Sequence, residues 1–281
     1  MSQQLPNFLH IGPGKSGSTW LHEVLISHPE VYLSEAKDLY FFSRYYDRGL
    51  DWYGAQFRGV RPEHKIIGEV CPDYLVNTEA PERIRECLGP DVRLMVTLRE
   101  PAARAFSSYL YLQRHGLAAP TFIETARSEP VLLDEGRYAT LLRRYLGSFD
   151  RKALHIAVFD DLQAAPQAFL DEVTDWLQIG RQVVSPDDLA ARLPASGARW
   201  LPLAAAAKHA ANWVRSRDGA DLVGRIKRSK LVERLLYKPL GDTKPTMSPG
   251  DIAFVRERLD GEIADVEAEF DIQLRQRWGW D

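Results

Sequence analysis

Five short, mainly apolar runs punctuate the chain, at Phe8–Ile11, Val31–Leu33, Lys65–Val70, Arg93–Leu98 and Leu154–Phe159. Each is apolar almost throughout rather than alternating, and each is bounded by Gly, Pro or charged residues. That pattern predicts strands buried on both faces, as in a parallel sheet. Between them the apolar positions recur at helical spacing. Leu21, Val24 and Leu25 share one face of a helix over about Ser18–Ser27, which His28-Pro29 ends. Further helices are predicted over Pro81–Leu88, from Pro101 to near Gly116, over Gly136–Leu146 (Leu141, Leu142, Tyr145) and over Gln167–Leu177 (Phe169, Val173, Trp176, Leu177). Ser248 with Asp251 three residues on marks a helix start with a capping pair. Ile252, Val255, Leu259, Ile263, Val266 and Phe270 continue as one stripe, with Trp278 and Trp280 anchoring the tail. Strands alternating with helices predict an α/β fold with a central, mainly parallel sheet covered on both sides, followed by a helical C-terminal part.

Composition narrows the class without naming a chemistry. The 281 residues are 45% hydrophobic and 27% charged, ordinary for a globular protein. A net charge of −3 argues against a general nucleic-acid binder. Cys71 and Cys87 are too few for a disulfide framework, so a reducing compartment and buried thiols are expected. No apolar run reaches membrane-spanning length, and Met1–Pro6 carries no apolar leader core, so a cytoplasmic protein is expected. The seven histidines are scattered without metal-ligand spacing, and no metal site is expected. No repeats, linkers or low-complexity tracts divide the chain, and a single domain over 1–281 is expected.

The candidate chemistry sits at the end of the first run. Gly12, Gly14 and Gly17 open the backbone between strand and helix, and the helix points its positive end at the same spot. Lys15 adds a charge, and Ser16, Ser18 and Thr19 add hydroxyl donors, so the turn is read as a phosphate cradle. It is not a Walker A loop: aligning Gly14-Lys15-Ser16 with the end of G-x-x-x-x-G-K-[ST] puts the first glycine on Leu9. Gly14-Lys15-Ser16-Gly17-Ser18-Thr19-Trp20-Leu21 instead resembles the 5′-phosphosulfate loop of sulfotransferases that use 3′-phosphoadenosine-5′-phosphosulfate (PAPS), with Gly14 where Pro or Gln is more usual. Arg99-Glu100-Pro101 through Ser107 and Tyr109 resembles the same family's 3′-phosphate motif, R-[DN]-P-x-x-R-x-x-S-x-Y. The two motifs occur in the family's order, and the resemblance takes in roughly residues 7–180, leaving about 181–281 as a helical C-terminal part.

The resemblance implies a P-loop-like sulfotransferase fold and a set of roles. Residues Gly14 to Trp20 would hold the 5′ end of the donor, and Lys15 would stabilise the oxygen between phosphorus and sulfur. Arg99 and Ser107 would hold the 3′-phosphate, Tyr138 would lie near the nucleotide, and Arg199 is a candidate in a loop over the adenine. Lys37-Asp38-Leu39-Tyr40-Phe41-Phe42 resembles the K-E-x-H-F-F motif of heparan N- and 3-O-sulfotransferases. That match makes Asp38 the candidate base, with Tyr40 replacing His and Glu35 as a backup. Gly49-Leu50-Asp51-Trp52-Tyr53 looks like the same group's G-x-D-W-Y. Glu69 matches the glutamate of its E-K-[ST] motif, but the following lysine is Val70 here. Glu69 is therefore either a second carboxylate of the site or a buried partner for Lys15 or an arginine.

The function implied is sulfuryl transfer from PAPS to a hydroxyl or amine, leaving adenosine 3′,5′-bisphosphate, with no metal required. The acceptor is expected to be a glycan, glycolipid or small natural product. The basic stretch from Ala204 to Lys238 reads as a solvated helical face, or as a surface for an anionic acceptor or membrane leaflet. Two other readings are a nucleoside triphosphate-dependent kinase, which predicts magnesium and a Walker B aspartate, and a nucleotide-binding protein without catalysis. The sequence leaves the oligomeric state open.

Overall fold

A computed structural model of the chain describes residues 4–186, 196–198, 237–239 and 245–280. The five apolar runs form one sheet, β1 (Phe8–Gly12), β2 (Val31–Leu33), β3 (Ile66–Val70), β4 (Arg93–Leu98) and β5 (Leu154–Val158), in the order β2-β3-β1-β4-β5. Every neighbouring pair is parallel. β1 and β3 are buried at every position, the reason they read as continuous apolar runs rather than alternating ones.

The helices run α1 (Ser18–Leu25), α2 (Phe41–Arg44), α3 (Gly49–Gly54), α4 (Ala80–Leu88), α5 (Pro101–Arg114), α6 (Phe122–Ser128), α7 (Val131–Asp134), α8 (Tyr138–Leu146), α9 (Phe159–Ala164), α10 (Pro166–Leu177), α11 (Pro249–Phe270) and α12 (Arg275–Trp278). Contacts divide the chain into two units: Met1–Arg99 with Thr140–Arg192, and Glu100–Ala139 with Leu193–Asp281. In this grouping α5 to α7 go with the C-terminal part.

In the first unit, Phe8, Met95 and Val70 of the sheet pack with Trp20, Leu21 and Val24 of α1 and with Phe169, Leu170 and Val173 of α10. In the second, Gly136 leaves room for Leu259 of α11, whose Cδ1 lies 2.7 Å from where a Cβ would stand. Ser196–Ala198 and Tyr237–Pro239 pair there as an antiparallel two-stranded ladder, β6 and β7. Tyr237 and Lys238 are thus strand residues rather than the end of a helix. The rest of the basic stretch lies outside the described residues.

Candidate active site

The turn after β1 is built to leave a helix N-terminus open. Gly17 precedes α1 at φ 85°, and no side chain caps the helix. The first-turn amides of any α-helix lack intrahelical acceptors, and here no acidic residue occupies that turn. Glycine at 17 is required twice over: the left-handed backbone favours it, and a Cβ would stand 2.6 Å from Leu162 Cδ2 and 3.2 Å from the Phe159 ring. Lys15 also adopts a left-handed conformation, φ 68°. Ser16 is fully buried, and its Oγ has no hydrogen-bond partner. A buried hydroxyl, a lysine and an uncapped helix start converging on one turn suit an anion. The Trp20 side chain is buried edge-on to Phe169, with centroids 6.1 Å apart.

Arg99 leaves β4 and reaches the same turn. Its Nη1 donates to the Lys15 carbonyl at 2.6 Å, and its guanidinium lies 4.6 Å from the centre of the Phe159 ring. Phe159 therefore supports both Gly17 and Arg99, a role that the sequence disguises as the end of an apolar run. Beneath the turn, His10 pairs with Thr97 Oγ1 at 3.1 Å. Burial, with Lys37 nearby, pushes its pKa down to about 3, so it stays neutral.

The candidate base lies on the segment between β2 and α2. Asp38 is partly buried and pairs with Lys37 Nζ at 3.0 Å. Its backbone is left-handed, φ 64°, as is that of Tyr40, φ 58°. Two main-chain amides tie the segment to the end of β3: Asp38 N donates to the Val70 carbonyl at 3.0 Å and Leu39 N to the Glu69 side chain, at Oε1, at 3.0 Å. Glu69 is fully buried and also accepts from Tyr53 Oη at 2.8 Å and from Tyr74 Oη at 2.9 and 3.0 Å. Of the partners expected for it, neither Lys15 nor an arginine is the one found. Burial pushes its pKa up to about 7, against the pull of those donors. Tyr53 in turn stacks on Phe41, with ring centres 4.3 Å apart, so the aromatics after Asp38 are the wall of this carboxylate.

Ser107 and Tyr138 belong to the second unit, Ser107 partly buried on α5 and Tyr138 fully buried at the start of α8. Arg104, the second arginine of the 3′-phosphate motif and given no role from sequence, is fully buried; its Nη1 donates to Glu135 Oε2 at 2.6 Å and its Nη2 to the Leu132 carbonyl. That pair fastens α5, the helix of Ser107, to the α7 segment. The spacing of Arg104 behind Arg99 was the available signal. Arg199 lies outside the described residues. Among the described residues no cluster of His, Cys, Asp and Glu is placed to hold a metal, and no helix is long and apolar enough to cross a membrane.

Comparison with known proteins accords with this geometry. The chain is 33% identical over 195 residues to human heparan sulfate glucosamine 3-O-sulfotransferase 3B1, an overlap of 64% of this chain and 48% of that one. It is equally 33% identical to the human 3A1 enzyme, over 46% of the latter's length. The chain thus spans about half the length of these relatives. A sulfotransferase structure from Alicyclobacillus acidocaldarius shares the fold, with a TM-score of 0.57 and 24% identity over 82% of this chain and 99% of that one. Residues 5–193 match the family model of the sulfotransferase domain, and the chain belongs to that family.

Proposed function

We propose that this protein transfers a sulfuryl group from PAPS to a hydroxyl or amine of an acceptor, within a single sulfotransferase domain of cytoplasmic location. The observation that carries the reading is the turn at residues 14–20. Its uncapped helix start, unpartnered buried Ser16 hydroxyl and adjoining lysine form an anion cradle, and Arg99 braces that cradle. When bound, the donor supplies a sulfuryl group on a phosphate that departs without metal assistance. Lys15 and the first-turn amides of α1 neutralise negative charge at that phosphate, the term that most often dominates such transfers. Arg99 offers a forked donor to a second phosphate, and Ser107, Tyr138 and Arg199 keep the donor-binding roles that the resemblance implies. Asp38 removes the proton from the attacking hydroxyl or amine. Lys37, 3.0 Å away, offsets the charge that this carboxylate would otherwise present to an anionic donor.

A glycan acceptor is favoured by the relatives, whose names specify a glucosamine of heparan sulfate. The cationic and aromatic faces beside Asp38 suit a sugar ring as well: Arg44 lies 4.3 Å from the Tyr40 ring centre and Arg48 4.9 Å from that of Trp52. Val70, where heparan enzymes carry lysine, points to an acceptor that differs from theirs.

Calorimetry with adenosine 3′,5′-bisphosphate and transfer from radiolabelled PAPS to polysaccharide, lipid and small-molecule acceptors test the proposal. Wild-type protein binds the bisphosphate and labels an acceptor; Lys15→Ala lowers transfer by roughly 10²–10³-fold and Asp38→Asn by roughly 10²–10⁴-fold. A folded sample without affinity for the bisphosphate defeats the proposal. Full activity in Asp38→Asn moves the base to another carboxylate, Glu35, since Glu69 is buried away from any acceptor.

A further inference from the structure

The roles assigned above leave the buried carboxylate of Glu69 without a task. Glu69 is sealed from solvent, so it does not meet an acceptor, yet its carboxylate takes every hydrogen bond that the surrounding aromatic wall offers. One of its donors is not a side chain but the amide of Leu39, which sits between two residues in left-handed conformation, Asp38 and Tyr40. Non-glycine residues in that region are strained and persist only where their surroundings over-determine them. Here the surroundings are two successive amides bound to two successive residues of β3, Asp38 N to the Val70 carbonyl and Leu39 N to Glu69. Burial of the Leu39 side chain and the Phe41–Tyr53 stack complete the hold.

We propose that Glu69 is a positioning residue, its buried carboxylate holding the Leu39 amide so that the strained segment presents Asp38 to the acceptor. The proposal rests on the sulfuryl-transfer reading and extends it to a group that touches no substrate. The groups facing Glu69 are the Tyr53 and Tyr74 hydroxyls, the Cys71 thiol and the Asp38 carboxylate, and among the described residues no cation neutralises it directly. A charged carboxylate is a stronger acceptor than a carboxylic acid. With Glu69 titrating near pH 7, the hold on Leu39 weakens as pH falls below that value.

Hydrogen exchange of the full-length protein, followed at the Leu39 amide, reads the clamp without any acceptor. Protection is retained in Glu69→Gln, whose amide oxygen still accepts, and lost in Glu69→Ala. Should Glu69→Ala not fold, the Tyr53→Phe/Tyr74→Phe double variant reports instead, with partial loss of protection. In transfer assays with radiolabelled PAPS and whichever polysaccharide, lipid or small-molecule acceptor the wild-type protein labels, Glu69→Ala lowers kcat by roughly 10–100-fold, the penalty of a displaced reacting group. Affinity for adenosine 3′,5′-bisphosphate is unchanged. Glu69→Gln loses the limb of the kcat–pH profile near pH 7 while keeping most of the activity at its plateau. Unaltered Leu39 protection in Glu69→Ala, or a fall in bisphosphate affinity matching the fall in kcat, overturns the proposal. Wild-type protein that transfers to no acceptor, with Leu39 protection still dependent on residue 69, removes the reaction reading and leaves the clamp intact.

Discussion

Gly17 shows how little latitude a single position has in this site. Its left-handed backbone and the 2.6 Å approach of Leu162 leave no room for a Cβ. Gly17→Ala is expected to cost about 2 kcal/mol of stability, read from denaturant midpoints, and to weaken bisphosphate binding by tenfold or more, read by calorimetry. The need for glycine was visible in the motif, but the reason was not. Leu162 and Phe159 lie more than 140 residues downstream and carry no mark of contact with the turn. Glu69 repeats the lesson with a charge: a carboxylate after an apolar run suggests burial, whereas its partners Tyr53 and Tyr74 are chosen by packing.

At the scale of elements, boundaries were legible where the chain supplied both periodicity and a cap. α11 begins with the expected exchange, Ser248 Oγ accepting from Asp251 N at 3.1 Å while Asp251 Oδ2 accepts from Ser248 N at 3.2 Å. Ser248→Ala is expected to cost about 1 kcal/mol, measured as a lowered denaturation midpoint with ligand affinity retained. α6 and α7, between Gly116 and Gly136, have no counterpart among the helices predicted from the sequence. They are too short, seven and four residues, to show a stripe. Yet Thr121 and Glu124 form the same reciprocal cap as Ser248 and Asp251, and that pair was the overlooked signal. The two left-handed residues flanking Leu39 had no comparable signature, since neither Asp38 nor Tyr40 is glycine.

For the molecule as a whole, two buried groups and one partly buried one set a pH dependence of stability. Burial holds His10 near pKa 3 and His155 near 4, both below the free value, so each is neutral in the fold and charges on unfolding. Their contribution is complete above about pH 6.5 and is lost as pH falls toward the folded values, roughly 2 kcal/mol each between pH 7 and 5. Glu69 acts in the opposite sense: its raised pKa makes the fold more stable as pH drops from 7 toward 4.5, by about 2 kcal/mol over the same interval. Urea denaturation should therefore show a modest net loss at pH 5 relative to pH 7. Glu69→Gln, which removes the opposing contribution, should make that loss steeper. An unchanged slope in this variant would contradict the assignment of Glu69 as the raised carboxylate.

By itself, the order of residues determined the parallel sheet, the family and the glycine-rich turn with its lysine. Each of these depends on neighbours within a few positions: apolar runs, glycines beside a lysine, and an arginine closing a strand. Only the tertiary structure decided that Glu69 binds tyrosines and a backbone amide rather than Lys15 or an arginine. It alone decided that Arg99 braces the Lys15 carbonyl, and that residues 100–139 group with the C-terminal part. Those outcomes turn on which distant side chains come into contact, and a pattern read along one chain carries no record of such distances.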